Sequence, residues 1–109
     1  MNLHDVEMIE GGAETEKEYF LALQSAINSL EAWKFQGSYG RAMMDAINAG
    51  QCMLGRKACR DYWGNRIPGR DEVEAGTRGS YGFVVRHSGV DWADEMRDVD
   101  WADEMREVL

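Results

Sequence analysis

Apolar residues recur at helical spacing from Tyr19/Phe20 through Leu23, Ala26/Ile27 and Leu30 to Trp33, giving one continuous stripe. The spacing predicts a helix over about 15–36. Thr15 with Glu18 three positions later is a capping box, in which each side chain satisfies a backbone N–H at the helix start. Acids crowd the first turn and Lys34 sits in the last, matching the helix dipole. Gly37 supplies a C-terminal stop.

Ser38 can cap a second helix carrying Ala42, Met43, Ala46 and Ile47 on one side, and Asn48-Ala49-Gly50 ends or kinks it. Gln51–Trp63 then continues in helical style through Met53/Leu54, Lys57/Ala58 and Tyr62, although Gly55 weakens the middle by ~1 kcal/mol relative to Ala. The short Gln36–Ser38 link makes the pair, 15–36 and 38–63, an antiparallel helical hairpin, with small residues letting the helices approach closely. Residues 64–82 break the pattern with Gly64, Pro68, Gly69, Gly76, Gly79 and Gly82 and read as a long loop. Tyr81–Arg86 is the one strand-like cluster; lacking a partner strand, it is expected as a short extended segment or a buried helical turn.

The tail repeats itself. Val90–Val99 reads VDWADEMRDV and Val99–Val108 reads VDWADEMREV, the copies lying nine residues apart. At ~100° per helical residue, nine steps turn the second copy about half a rotation from the first. Trp92, Met96 and Val99 form a stripe able to close the core. Trp101, Met105 and Val108 would lie on the opposite side of a straight helix. Either the chain breaks between the copies, or the second stripe is left for another surface. The plain reading is a tolerated duplication. The functional reading is a docking helix, with Trp101 and Met105 as an apolar anchor among Asp100, Asp103 and Glu104. A homodimer through the same stripe is a variant.

The length, 109 residues, fits one domain: a flexible N-terminal arm at 1–13, a mostly α domain at 14–99 and an acidic extension at 100–109. The net charge of −8 is unevenly spread, with −5 on residues 1–18, +3 on 19–89 and −6 on 90–109. Acidic ends suit either self-neutralisation against the basic centre or an acidic face offered to a basic partner. No apolar run reaches the ~20 residues that cross a bilayer, and the first residues show no basic and apolar signal segment. A cytoplasmic protein without membrane contact is expected.

Candidate chemistry is sparse. Cys52 and Cys59, with His87 or His4, lack the close pairing of a zinc site. A Cys59–His87 nucleophilic pair lacks a local signature, and the tail carboxylates read as a solvated helix face. No enzyme activity, cofactor or metal is expected. Arg56, Arg60, Arg66, Arg70 and Arg78, interleaved with Tyr62, Trp63 and Tyr81, offer charge for phosphates and rings for bases. Direct nucleic-acid binding through 56–86 is therefore the alternative, against a simpler account in which the arginines neutralise the protein's own acids. The glycines match neither a dinucleotide nor a P-loop motif.

The run Met53–Val85 resembles small proteins of tailed bacteriophages in its Arg-Asp-Tyr-Trp-Gly-Asn turn (60–65), its Ile-Pro-Gly-Arg-Asp loop (67–71) and its Gly-Ser-Tyr-Gly segment (79–82). Small size and acidic charge are also similar to phage proteins that block host machinery, anti-CRISPR proteins among them. That resemblance implies a non-enzymatic inhibitor or modulator in the host cytoplasm. Its acidic helices would occupy a host protein or nucleoprotein complex, competing for a nucleic-acid-binding groove.

Overall fold

A computed structural model describes residues 3–29, 32–34 and 38–108, with their side chains except those of Ser38 and residues 100–108. The protein is mostly helical. Its central element is α2, Glu16–Asn28, which packs against the N-terminal helix α1 (Leu3–Glu7), α3 (Ser38–Asn48) and α5 (Val90–Val108). Thr15 caps α2 as expected, its Oγ1 accepting from the Glu18 N–H at 3.1 Å. The Glu18 carboxylate reaches back to the Glu14 N–H instead of the Thr15 N–H. Leu23, Ala26 and Ile27 are buried.

The helix expected over 15–36 stops at Asn28, and a short 3-10 turn follows at Ala32–Lys34. Asn28 and Ser29 favour backbone-bonded turns over helix, and the exposed carbonyls find other donors. Ser29 N–H donates to the Ser25 and Ala26 carbonyls, and the Trp33 indole donates to Ile27 O at 3.0 Å. Trp33 is buried by the same move. Folding the aromatic back caps the helix and fills the core at once.

The second expected helix, 38–63, is the larger departure. It ends at Asn48, where Gly50 takes φ +75, a left-handed conformation suited to glycine. Gln51–Gly55 then crosses the core as an irregular strap with Cys52, Met53 and Leu54 buried. A buried strap must satisfy its peptide groups one at a time. The N–H groups of Gln51 and Cys52 donate to Ala46 O. Gln24 holds both polar groups of Met53: its Oε1 accepts from the Met53 N–H at 2.9 Å and its Nε2 donates to Met53 O at 2.9 Å. Leu54 N–H donates to Gly79 O, Arg70 Nε donates to Leu54 O, and Arg70 N–H donates to Gly55 O. Trp92 Nε1 donates to Gln51 O at 2.8 Å. Helical spacing over 51–58 is thus overridden by long-range partners that a periodicity reading does not see.

After the strap comes a two-stranded antiparallel hairpin, β1 (Cys59–Arg60) and β2 (Arg66–Ile67), with Cys59 opposite Ile67 and Arg60 opposite Arg66. A 3-10 turn at Arg70–Glu72 and a glycine-rich loop lead to α4, Tyr81–Ser88. The strand-like YGFVVR run is therefore helical. Ser80 caps it, accepting from the Phe83 N–H, and Val84 points into the core. At the other end, residues 3–12, expected as an arm, form α1 and a further turn, Met8–Gly12, kinked at Gly11 with φ +115. Buried Asp5 accepts a 2.8 Å bond from Ser25 Oγ on α2, and Glu10 accepts from Tyr39 OH on α3.

Candidate functional site

The helix α5 runs without a break through both copies of the repeat, Val90–Val108. That settles one branch of the choice posed by the repeat: the chain does not turn between the copies. In the first copy Ala93 and Met96 are fully buried. Trp92 lies half-buried, edge-on to Phe20 with ring centroids 6.0 Å apart, besides its bond to Gln51 O. Two of the four first-copy acids are also engaged. Asp94 accepts from Tyr81 OH at 2.6 Å and from Arg97, and Glu95 pairs with Lys17 of α2 at 3.1 Å. On an unbroken helix, position 101 is reached from position 92 by about half a rotation. The side chains of the second copy, including the expected contact residues Asp100, Trp101, Asp103, Glu104 and Met105, lie outside the described residues.

The expected basic cluster divides. Arg70 is half-buried and turned onto the strap through Leu54 O. Arg66 pairs with Glu72 at 2.6 Å, and that guanidinium holds the Glu72 carboxyl below the usual range. Arg60 donates to Gly64 O at 2.8 Å. Arg56, Lys57 and Arg78 are exposed. Arg60 and Arg70 thus bond backbone carbonyls, and Arg66 bonds the carboxylate of the 3-10 turn that follows the hairpin.

Between β1 and β2 the chain makes a three-residue turn, Tyr62-Trp63-Gly64. Asp61 N–H donates to Asn65 O, Gly64 N–H donates to Asp61 O, and Gly64 adopts φ +84, as a hairpin loop of this length requires. The Asp61 carboxylate accepts from the Trp63 and Asn65 N–H groups, both at 2.9 Å. This Asx turn holds out two aromatic rings. Tyr62 is 49% exposed and Trp63 69%, and the rings meet edge-on with centroids 4.8 Å apart. The turn agrees with the Arg-Asp-Tyr-Trp-Gly-Asn turn expected at 60–65 and overturns the helical reading of 51–63. The Asp-x-x-Gly spacing at 61–64 is the signal that marks it.

The two cysteines are free thiols. Cys52 is buried, its Sγ 3.4 Å from Phe20 O, and burial pushes its thiol far above the ordinary value. Cys59 is raised by burial first and by Asp61 next, with Lys34 opposing. His87 packs on Phe83 and under Gly50. Among the described residues no three His, Cys, Asp or Glu side chains come together to hold a metal ion, and no helix is long and apolar enough to cross a membrane. An open groove of about 430 Å³ lies between α2 and α3, floored by Phe20, Leu23, Ala42 and Ala46 and rimmed by Arg41 and Asp45.

The chain matches no protein-family model, no curated protein and no solved structure.

Proposed function

We propose that the protein is a non-enzymatic binding protein that occupies a basic, apolar groove on a host protein or nucleoprotein complex through the second half of α5, and thereby inhibits or modulates it. The observation that supports this reading is the continuity of α5. With Ala93 and Met96 buried, a helix that does not break carries the equivalent positions of the second copy to its other side. Trp101 and Met105 then form the anchor, and Asp100, Asp103 and Glu104 supply charge around it. Aromatic anchors dominate the energetics of such interfaces, and surrounding charge sets the rate of encounter and the choice of partner. A phage origin and action in the host cytoplasm belong to the same proposal.

The test compares wild-type protein with Trp101→Ala and with Asp103→Lys/Glu104→Lys in affinity capture from nuclease-treated bacterial lysate, alongside sedimentation analysis. A partner held by wild type and weakened by roughly 2 kcal/mol or more in Trp101→Ala, at unchanged thermal midpoint, is the expected result. Unchanged capture and unchanged oligomeric mass in that variant refute the docking role.

A further inference from the structure

We propose that the tip of the β1–β2 hairpin binds single-stranded nucleic acid, with bases stacking on Trp63 and Tyr62 and phosphates meeting the basic side chains around them. The site is independent of α5. Three observations carry it.

The first is the exposure of the rings. Trp63 is the most exposed aromatic among the described residues, and the loop that presents it is braced on both sides: Asp61 bonds two of its N–H groups, and Arg60 bonds Gly64 O. A loop whose backbone is already braced loses little freedom when a base stacks on the ring it carries. The rings meet edge-on at 87°, so their planes face in different directions.

The second is charge. Residues 56–70 hold five basic side chains and one acid, Asp61, in a chain of net −8, and the acids that follow are Asp71, Glu72 and Glu74. Asp61 is turned into the loop by its two N–H donors. Arg60 keeps its full charge while bonding a carbonyl, although Arg66 is partly neutralised by Glu72. Lys34 joins the cluster from the 3-10 turn, which packs against β1 and acts on the Cys59 thiol.

The third is the combination. A positive surface with outward rings is how proteins hold unpaired strands without reading sequence, because every base has a face to stack. In a duplex those faces are already stacked. Against a purely apolar protein groove the basic side chains near the rings would be left unpaired, so their charge favours a polyanion.

The experiment titrates a fluorescently labelled oligothymidylate of about 20 nucleotides with the full chain at about 50 mM salt, followed by anisotropy. Wild type is expected to bind, with affinity falling as salt rises, and to bind a duplex of equal length less well. Trp63→Ala is expected to weaken binding about tenfold, and Trp63→Phe to recover most of the loss. Lys57→Gln is expected to weaken it modestly and to lower the salt slope by about one. Trp101→Ala is expected to leave the titration unchanged, which separates this site from the docking helix. No binding at low salt overturns the proposal, as does an undiminished titration with Trp63→Ala. If Trp63→Ala instead abolishes capture of a protein while the oligonucleotide titration is unaltered, the tip is a protein contact and the proposal fails.

Discussion

The side-chain amide of Gln24 pairs with the peptide of Met53 as a neighbouring strand would, donating to its carbonyl and accepting from its N–H, both at 2.9 Å. Gln24 is fully buried, and its Nε2 has a second acceptor in Asn28 Oδ1 at 3.1 Å. One side chain on the central helix thereby fixes the strap that replaces the second half of the expected hairpin. Gln24→Met keeps the volume and removes both bonds. Two buried peptide groups left unpaired cost about 3 kcal/mol together, so denaturant unfolding is expected to show a loss of that order. A loss under about 1 kcal/mol would mean that water or a shift of the strap replaces the amide.

Gly79 is the strap's other tight contact. It sits at φ +93, and a Cβ there would lie 2.5 Å from Leu54 Cδ1 while the Gly79 carbonyl accepts from Leu54 N–H. Gly79→Ala combines backbone strain with overpacking and is expected to destabilise by about 2 kcal/mol or more. Gly64, with φ +84 but open space around it, is expected to tolerate alanine better, near 1 kcal/mol. Thermal midpoints of the two variants check the ranking.

The thiols should report the core. Cys52 is buried with a strongly raised pKa, and Cys59 is part-buried and raised. Since the thiolate is the reactive form, a disulfide reagent at neutral pH is expected to label Cys59 slowly and Cys52 only on unfolding. Rapid labelling of both in native buffer would contradict the placement of the strap.

Two phenols bridge elements through carboxylates, Tyr81 to Asp94 between α4 and α5 and Tyr39 to Glu10 between α3 and the N-terminal turn. Each donates its proton to an acceptor that is already negative, which raises both pKa values. The native state therefore holds these protons more tightly than the unfolded chain. Their contribution is complete below the ordinary tyrosine value of about 10 and disappears as pH rises through the raised values. Tyr81→Phe and Tyr39→Phe are expected to flatten the alkaline fall of stability, read by denaturation at several pH values above neutrality.

What the sequence made legible follows from which forces are local. The Thr15 cap, the Leu23–Ile27 stripe and the burial of Met96 depend on neighbours along one helix, and periodicity finds them. The strap does not. Met53 and Leu54 have helical spacing, but their backbone partners are Gln24, Gly79 and Arg70, and no local pattern announces a polar glutamine buried in an apolar stripe. The helical reading of Tyr62 failed for a related reason, since Asp61 captures the backbone that a helix would need. Of the candidate contacts, the repeat was visible as phase arithmetic. The company of Tyr62 and Trp63 with arginines was also visible, but the hairpin that presents the rings, and the approach of Lys34 to β1, needed the fold.

The central claim is that identical residues in the two copies do different work. Trp92 gives up its bond to Gln51 O and its edge contact with Phe20 when cut to alanine, about 3 kcal/mol or more, which is a fall of about 10 °C or more in thermal midpoint for a chain this size. Trp101→Ala, measured in the same buffer, is expected to leave the midpoint within about 2 °C of wild type. Equal falls in the two variants would place both tryptophans in one core and contradict the account.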